Sequence, residues 1–190
     1  AAHTNVKFTG DPAGSTTRTL TPGTYCGGID IGGSSTNVVF SQGTYILLGG
    51  GLSLTSSVSV TGTGVTFFNT FDASHSYGQV KITGSGLINL SAPTTGPYKA
   101  LLFYQDPRVA WRSNNGSIIA GSATSVYDGI IYFPTTDLDY TGNSSTTVGG
   151  TDGYTLLVGY NITVRGTSSI NANYATIGGV SPIQVAQFTE

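Results

Sequence analysis

The sequence predicts an all-β chain: a single-domain, right-handed parallel β-helix (solenoid) of about six coils, with three short strands per coil. Three observations carry that expectation. Short apolar strands run repeatedly into Gly- or Ser-rich corners, two further strand families follow each of them in a fixed order, and no segment carries a helical period.

The first family is Gly28-Ile29-Asp30-Ile31, Leu52-Ser53-Leu54, Val80-Lys81-Ile82, Ser117-Ile118-Ile119, Leu138-Asp139-Tyr140 and Ile162-Thr163-Val164. Start-to-start steps are roughly 21 to 24 residues in three cases and longer where a loop intervenes. These strands alternate apolar and polar residues, as half-buried strands do. The second family is Val38-Val39-Phe40, Val58-Ser59-Val60, Leu87 to Leu90, Ser125-Val126-Tyr127, Thr146-Thr147-Val148 and Ser169-Ile170-Asn171. The third is Tyr45-Ile46-Leu47, Val65 to Phe68, Leu101 to Tyr104, Ile130 to Phe133 and Thr155 to Val158. Its nearly continuous apolar character implies that its outer face is also covered, by a loop, a cap or another chain. An antiparallel β-sandwich is the alternative, but the repeating unit here is three strands long and hairpin signals such as Asn-Gly are few.

A solenoid needs closed ends. Residues 1–20 are expected to form the N-terminal cap, 21–179 the coils, and 180–190 a C-terminal cap or edge strand. Ile183 to Phe188 alternates cleanly and suits pairing with an edge of its own or a neighbouring chain, so edge-strand or head-to-tail self-association is an expected partner mode. Two insertions break the rhythm: Asn69 to Gly78, and the pair Ser91 to Tyr98 and Gln105 to Asn114. Loops on a regular scaffold are where function is usually carried.

Composition narrows the partners. The 190 residues suffice for one domain, and 38% hydrophobic with 11% aromatic residues argue for a packed core despite only 8% charged residues. The seven Lys and Arg are scattered, so the basic stripe of a nucleic-acid binder is missing. No apolar run is long enough for a membrane-spanning helix. The Ala1-Ala2-His3 start, without Met, fits either a cleaved leader or a trimmed chain, and the expected location is extracellular or at the cell surface. Cys26 is the only cysteine, which excludes an internal disulfide; it reads as a small buried thiol. His3 and His75 are isolated and no Asp-rich calcium loop occurs, so neither a metal nor a cofactor is expected.

Several strings resemble the C-terminal β-rich region of TadG-like proteins, which are encoded with bacterial Flp/Tad pilus-assembly systems. They are Thr21-Pro22-Gly23-Thr24-Tyr25-Cys26-Gly27-Gly28, Gln42-Gly43-Thr44-Tyr45, Thr61 to Phe67, Leu90 to Tyr98, Leu102-Phe103-Tyr104-Gln105-Asp106 and Gly129 to Pro134. The resemblance spans roughly residues 20 to 165. It implies an exported, pilus-associated, β-rich envelope module and transfers no catalytic residues.

Chemistry has few places to sit. Asp137 and Asp139 share a strand face, about 7 Å apart at Cα, a spacing compatible with paired carboxylates in glycoside cleavage. Laid out by coil, the middle position of the first family reads Asp30, Ser53, Lys81, Ile118, Asp139, Thr163, which is thin in acids for a pectin-lyase-like active face. Asp72 and His75 form a second candidate acid–base pair, with Tyr77 nearby. The second insertion is the candidate recognition site: Trp111 lies between Arg108 and Arg112, with Tyr98, Tyr104, Asp106 and Asn114 close in sequence. Aromatic faces stack on sugar rings while Arg, Asp and Asn bond hydroxyls, so this composition suits a carbohydrate, such as a polysaccharide, or a partner protein. The alternative is that Trp111 caps the solenoid flank and covers the outer face of the third strand family. The expected function is a structural or adhesive β-helix module that binds glycans or self-assembles into filaments; the alternative is a small polysaccharide lyase or glycoside hydrolase.

Overall fold

The computed structural model of the chain describes residues 2–9, 17–34, 36–111, 114–122, 125–142, 147–148, 151–152 and 154–166. In chain order the strands are β1 (Ala2–Thr9), β2 (Thr17–Leu20), β3 (Gly23–Gly32), β4 (Asn37–Phe40), β5 (Gly43–Leu48), β6 (Leu52–Leu54), β7 (Ser59–Thr63), β8 (Val65–Thr70) and β9 (Val80–Ile82). They continue as β10 (Ile88–Ser91), β11 (Leu101–Gln105), β12 (Ser117–Gly121), β13 (Val126–Phe133), β14 (Leu138–Gly142), β15 (Thr147–Val148), β16 (Thr151–Asp152), β17 (Thr155–Gly159) and β18 (Ile162–Gly166). Sixteen of them form one parallel sheet, not closed into a barrel, that wraps into a β-helix. Every pair in that sheet is parallel, so the antiparallel sandwich does not describe this chain.

The three strand families become three faces. Face one stacks residues 29–32 of β3 with β6, β9, β12, β14 and β18. Face two stacks β2, β4, β7, β10 and residues 126–128 of β13. Face three stacks residues 23–26 of β3 with β5, β8, β11, the rest of β13 and β17. The middle column of face one runs Asp30, Ser53, Lys81, Ile118, Asp139 and Thr163 in register, the order expected from the sequence.

Three details depart from the sequence reading. β1 is not outside the repeat: its residues 2–4 pair with face three and its residues 6–9 with face one of the first coil. β2 likewise belongs to face two, so strands of the ladder begin before residue 21. Thr147-Val148 does not continue face two but pairs antiparallel with β16, consistent with the two-residue Gly149-Gly150 spacer that favours a hairpin. The strand expected at Ser169-Ile170-Asn171 and the segment 183–188 lie outside the described residues.

Inward residues of all three faces form one core. Ile29, Leu52, Val80 and Leu138 from face one meet Val38, Val60 and Ile88 from face two and Tyr45, Phe67 and Phe103 from face three, nearly all without solvent exposure. Each such side chain contributes roughly 1.5–3 kcal/mol by burial. Because parallel coils superpose equivalent residues, like side chains stack. Phe67 lies ring-on-ring with Phe103 at 5.2 Å, and Phe40 meets both Tyr45 and Phe67 edge-on at 5.0 Å. Three core tyrosines have paired hydroxyls: Tyr25 donates to Thr21 O at 2.6 Å, Tyr45 to Leu20 O at 2.8 Å and Tyr127 to Ala120 O at 2.9 Å.

The corner from face three to face one is built from glycine in the first two coils. Gly27 and Gly28, and Gly49, Gly50 and Gly51, all have φ between +69° and +85°. A methyl group at Gly50 collides with the Gly27 carbonyl oxygen, and one at Gly28 collides with Gly51 O. The backbones of adjacent coils therefore touch there with no room for a side chain. Gly50→Ala is expected to destabilise the protein by about 3 kcal/mol or more, combining collision with left-handed strain. Gly96→Ala is the control: its φ is +85° but nothing lies within 4 Å, so strain alone operates, at about 1 kcal/mol. Urea unfolding of the two variants measures the difference.

Candidate functional site

The same corner carries the first insertion and the Gln105 to Asn114 part of the second, whereas Ser91 to Tyr98 lies between β10 and β11, at the turn from face two to face three. Residues 71–79 follow β8, residues 106–116 follow β11, and shorter corners, 134–137 and 160–161, follow β13 and β17. Stacking of the coils brings these segments together along one edge of the solenoid. The second insertion bridges back to the first, with the Gln79 side-chain amide donating to Asn114 O.

In the first insertion Asp72 organises its own loop. Its Oδ1 accepts the backbone N–H groups of Ser74 and His75, each at 2.8 Å, and lies 2.8 Å from His75 Nδ1. The His75 hydrogen bond, then the Ser74 one, hold the carboxyl below the ordinary range. Tyr77 points the other way: its hydroxyl enters the wall of the solenoid and meets Gln105 Nε2 at 3.4 Å. Burial raises its pKa, partly offset by the hydrogen-bonding neighbours Ser117, Thr136, Gln105 and Asn69. Asp72 and His75 thus meet, but Tyr77 does not join them.

Asp106 anchors the second insertion. Its Oδ2 accepts from Thr70 Oγ1 and Arg108 Nη2, both at 2.6 Å, and its Oδ1 from Arg108 N at 2.9 Å and Arg108 Nε at 3.0 Å. The Arg108 guanidinium, followed by Thr70 and the Arg108 backbone, lowers the carboxyl to about 2 against the opposing effect of burial. Arg108 then lies over the Phe71 ring at 5.6 Å, closing the end of a groove of about 400 Å³ between the insertions. Asp106, expected to bind ligand, has its lone pairs taken within the chain.

Beyond the second insertion lies a polar groove of about 290 Å³, lined by Gln79, Ser117, Asp137, Asp139, Asn161 and Thr163 among others. Asp137 and Asp139 open into it together, and Asn161 Nδ2 donates to Asp137 Oδ1 at 2.8 Å. Tyr160, next to Asn161, meets Trp111 with ring centroids 6.1 Å apart and planes tilted by 44°. Trp111 is 53% exposed and Tyr160 61%, so both rings keep faces open to solvent.

The expected recognition residues therefore divide. Trp111 and Asn114 sit on the segment between the two grooves, Arg108 lines the larger one, and Asp106 holds the segment down. Arg112 lies outside the described residues. Tyr98 is elsewhere, exposed beside a small recess with Gln42, Thr44 and Pro93 near the turn from face two to face three. Tyr104 stands on the outside of face three, stacked between Phe68 at 5.4 Å and Tyr132 at 5.3 Å. That ladder is half-buried by its own stacking, and one margin is covered where Ala100 packs on Ile130, Tyr154 and Leu156. Stacked rings hide their faces from a sugar, so Tyr104 serves the scaffold. Sequence reasoning missed Tyr160, Asn161 and Gln79; superposing the corners after the third strand family by coil is the signal that finds them.

Cys26 is a free, half-buried thiol at the end of the face-three part of β3. Among the described residues no three His, Cys, Asp or Glu side chains converge as a metal site. Nor is any helix among them long and apolar enough to cross a membrane.

The Asp106 clip makes a pH-dependent prediction. Its folded pKa lies below the unfolded value of about 3.9, so its contribution is complete above pH ~4 and is lost as pH falls from there towards 2. Asp106→Asn is expected to cost roughly 2 kcal/mol in urea unfolding at neutral pH. The difference from wild type should shrink on acidification through that window, whereas Asp72→Asn, on an exposed loop, should lower the neutral-pH midpoint far less than Asp106→Asn. Comparison with known proteins adds no identification: no family model matches the chain, and neither a curated protein nor a solved structure shows significant similarity to it.

Proposed function

We propose that this chain is a glycan-binding β-helix module acting outside the cell or at its surface, with the corner insertions as its binding edge. The observation that carries this reading is the open Trp111–Tyr160 pair standing next to a polar groove. Exposed aromatic faces take the apolar faces of sugar rings, and the groove supplies Gln79, Asp137, Asp139, Asn161 and Thr163 for hydroxyl groups. The scaffold suits such a role, because coil stacking fixes Asp139 and Thr163 on strands and Asp137 and Asn161 on short corners. An envelope setting rests on the resemblance to TadG-like proteins alone.

Catalysis is the second reading, favoured by one observation: Asp137 and Asp139 open into the same groove. Against it, Asp137 is already bonded to Asn161, and among the described residues no His, Arg or Lys lines that groove.

Retention on immobilised plant and bacterial polysaccharides tests both readings. Trp111→Ala and Tyr160→Ala are each expected to weaken retention about tenfold, a loss typical of an aromatic contact at a binding centre, without moving the unfolding midpoint. Undiminished retention in both variants refutes the assignment. Release of reducing or unsaturated ends, abolished by Asp139→Asn, would instead establish the enzyme.

A further inference from the structure

One column of inward side chains on face three changes character where the insertions begin. Leu47, Asn69 and Gln105 occupy the same inward position on successive coils, and continuing the register brings Phe133 next. The two amides are only 1% and 0% exposed. Buried amides are costly unless each N–H and each lone pair finds a partner.

Most of this demand is met. Asn69 Nδ2 donates to Gly78 O at 2.9 Å, Gln105 Nε2 donates to the Tyr77 hydroxyl, and Gln105 Oε1 accepts from Thr135 N at 3.4 Å. Asn69 Oδ1 and the hydroxyls of Thr135 and Thr136 remain without a partner at normal hydrogen-bond distance, and Thr136 is fully buried. The Tyr77 phenol, near Ser117, Thr136, Gln105 and Asn69, has a single hydrogen to give and cannot satisfy them all.

We infer that Asn69, Thr136 and the Tyr77 hydroxyl hold one buried water molecule inside the solenoid, pinning the first insertion to the coil wall. Water fits because it both donates and accepts, and Asn69 Oδ1 needs a donor. A metal ion does not fit, since the cluster contains no carboxylate and an uncompensated charge in the interior is far more costly than a neutral ligand. An anion finds too few donors. Sites of this kind, polar and enclosed, are where ordered internal water sits.

A crystal structure of the full chain that orders solvent is expected to show one water within hydrogen-bond distance of Asn69 Oδ1 and Thr136 Oγ1. A dry site in which these groups pair directly overturns the inference. So does an anomalous peak at that position in rubidium-soaked crystals, which would make the occupant a cation. In Thr136→Val, which keeps side-chain shape, occupancy should fall by at least half; unchanged occupancy removes Thr136 from the site. Should that variant fail to fold, NMR on the wild-type chain decides. Water cross-peaks to the Tyr77 ring or Asn69 amide with the sign of a long-lived contact support the site, and their absence overturns it.

Discussion

Backbone-to-backbone contact at one corner sets the terms for the rest of this molecule. Parallel strands stack about 4.8 Å apart, so consecutive coils leave no space where the chain must bend sharply. Gly27 and Gly28 against Gly50 and Gly51 meet that condition with main chain alone, in a conformation other residues resist. Once this corner is fixed, the registers of faces one and three follow, and with them the superposition of Tyr45 on Phe67 and of Phe67 on Phe103. After β8 and β11 the chain leaves the coil at this corner and returns several residues later, whereas after β13 and β17 it turns through residues 134–137 and 160–161, which contain no glycine.

An exit has to be held in place. The first insertion is tied by Tyr77, which reaches inside the wall where Asn69 and Gln105 replace apolar neighbours. The second is tied by Asp106, whose carboxylate is shared between Thr70 and Arg108. Both ties are polar and directional, so they fix orientation as well as position. The surface between them holds Trp111 against Tyr160 from a corner two coils further on. A short loop and a tight turn thereby bring two exposed aromatic rings side by side.

Much of the architecture was legible in the sequence because a β-helix writes its register into repetition. The alternation in Leu52-Ser53-Leu54 and Val80-Lys81-Ile82 identifies inward and outward positions, and the polar column of face one follows directly. β1 was not legible as a rung, since Ala2–Thr9 lacks the Gly-rich corner that marks the later coils. Thr147-Val148 resembled one more coil strand, yet it pairs antiparallel with Thr151–Asp152, so the period alone did not settle its partner. The site was half legible. Trp111 is conspicuous as the single tryptophan in an insertion, whereas Tyr160 sits in an ordinary turn and gains meaning only when coils 49 residues apart in sequence are superposed. Asp106 looked like a ligand residue because residue type alone does not reveal that its lone pairs are spent on Thr70 and Arg108.

The placement of the single tryptophan has an optical consequence. The aromatic core is made of Phe and Tyr, while the one indole stands in solvent beside Tyr160. Its emission in the native state is therefore already that of a hydrated indole, and unfolding shifts it little. Tyrosine circular dichroism in the near ultraviolet, arising from the stacked interior, follows the fold instead. Nature has given this protein two separate colours of signal, one for the integrity of the rod and one for what touches its edge.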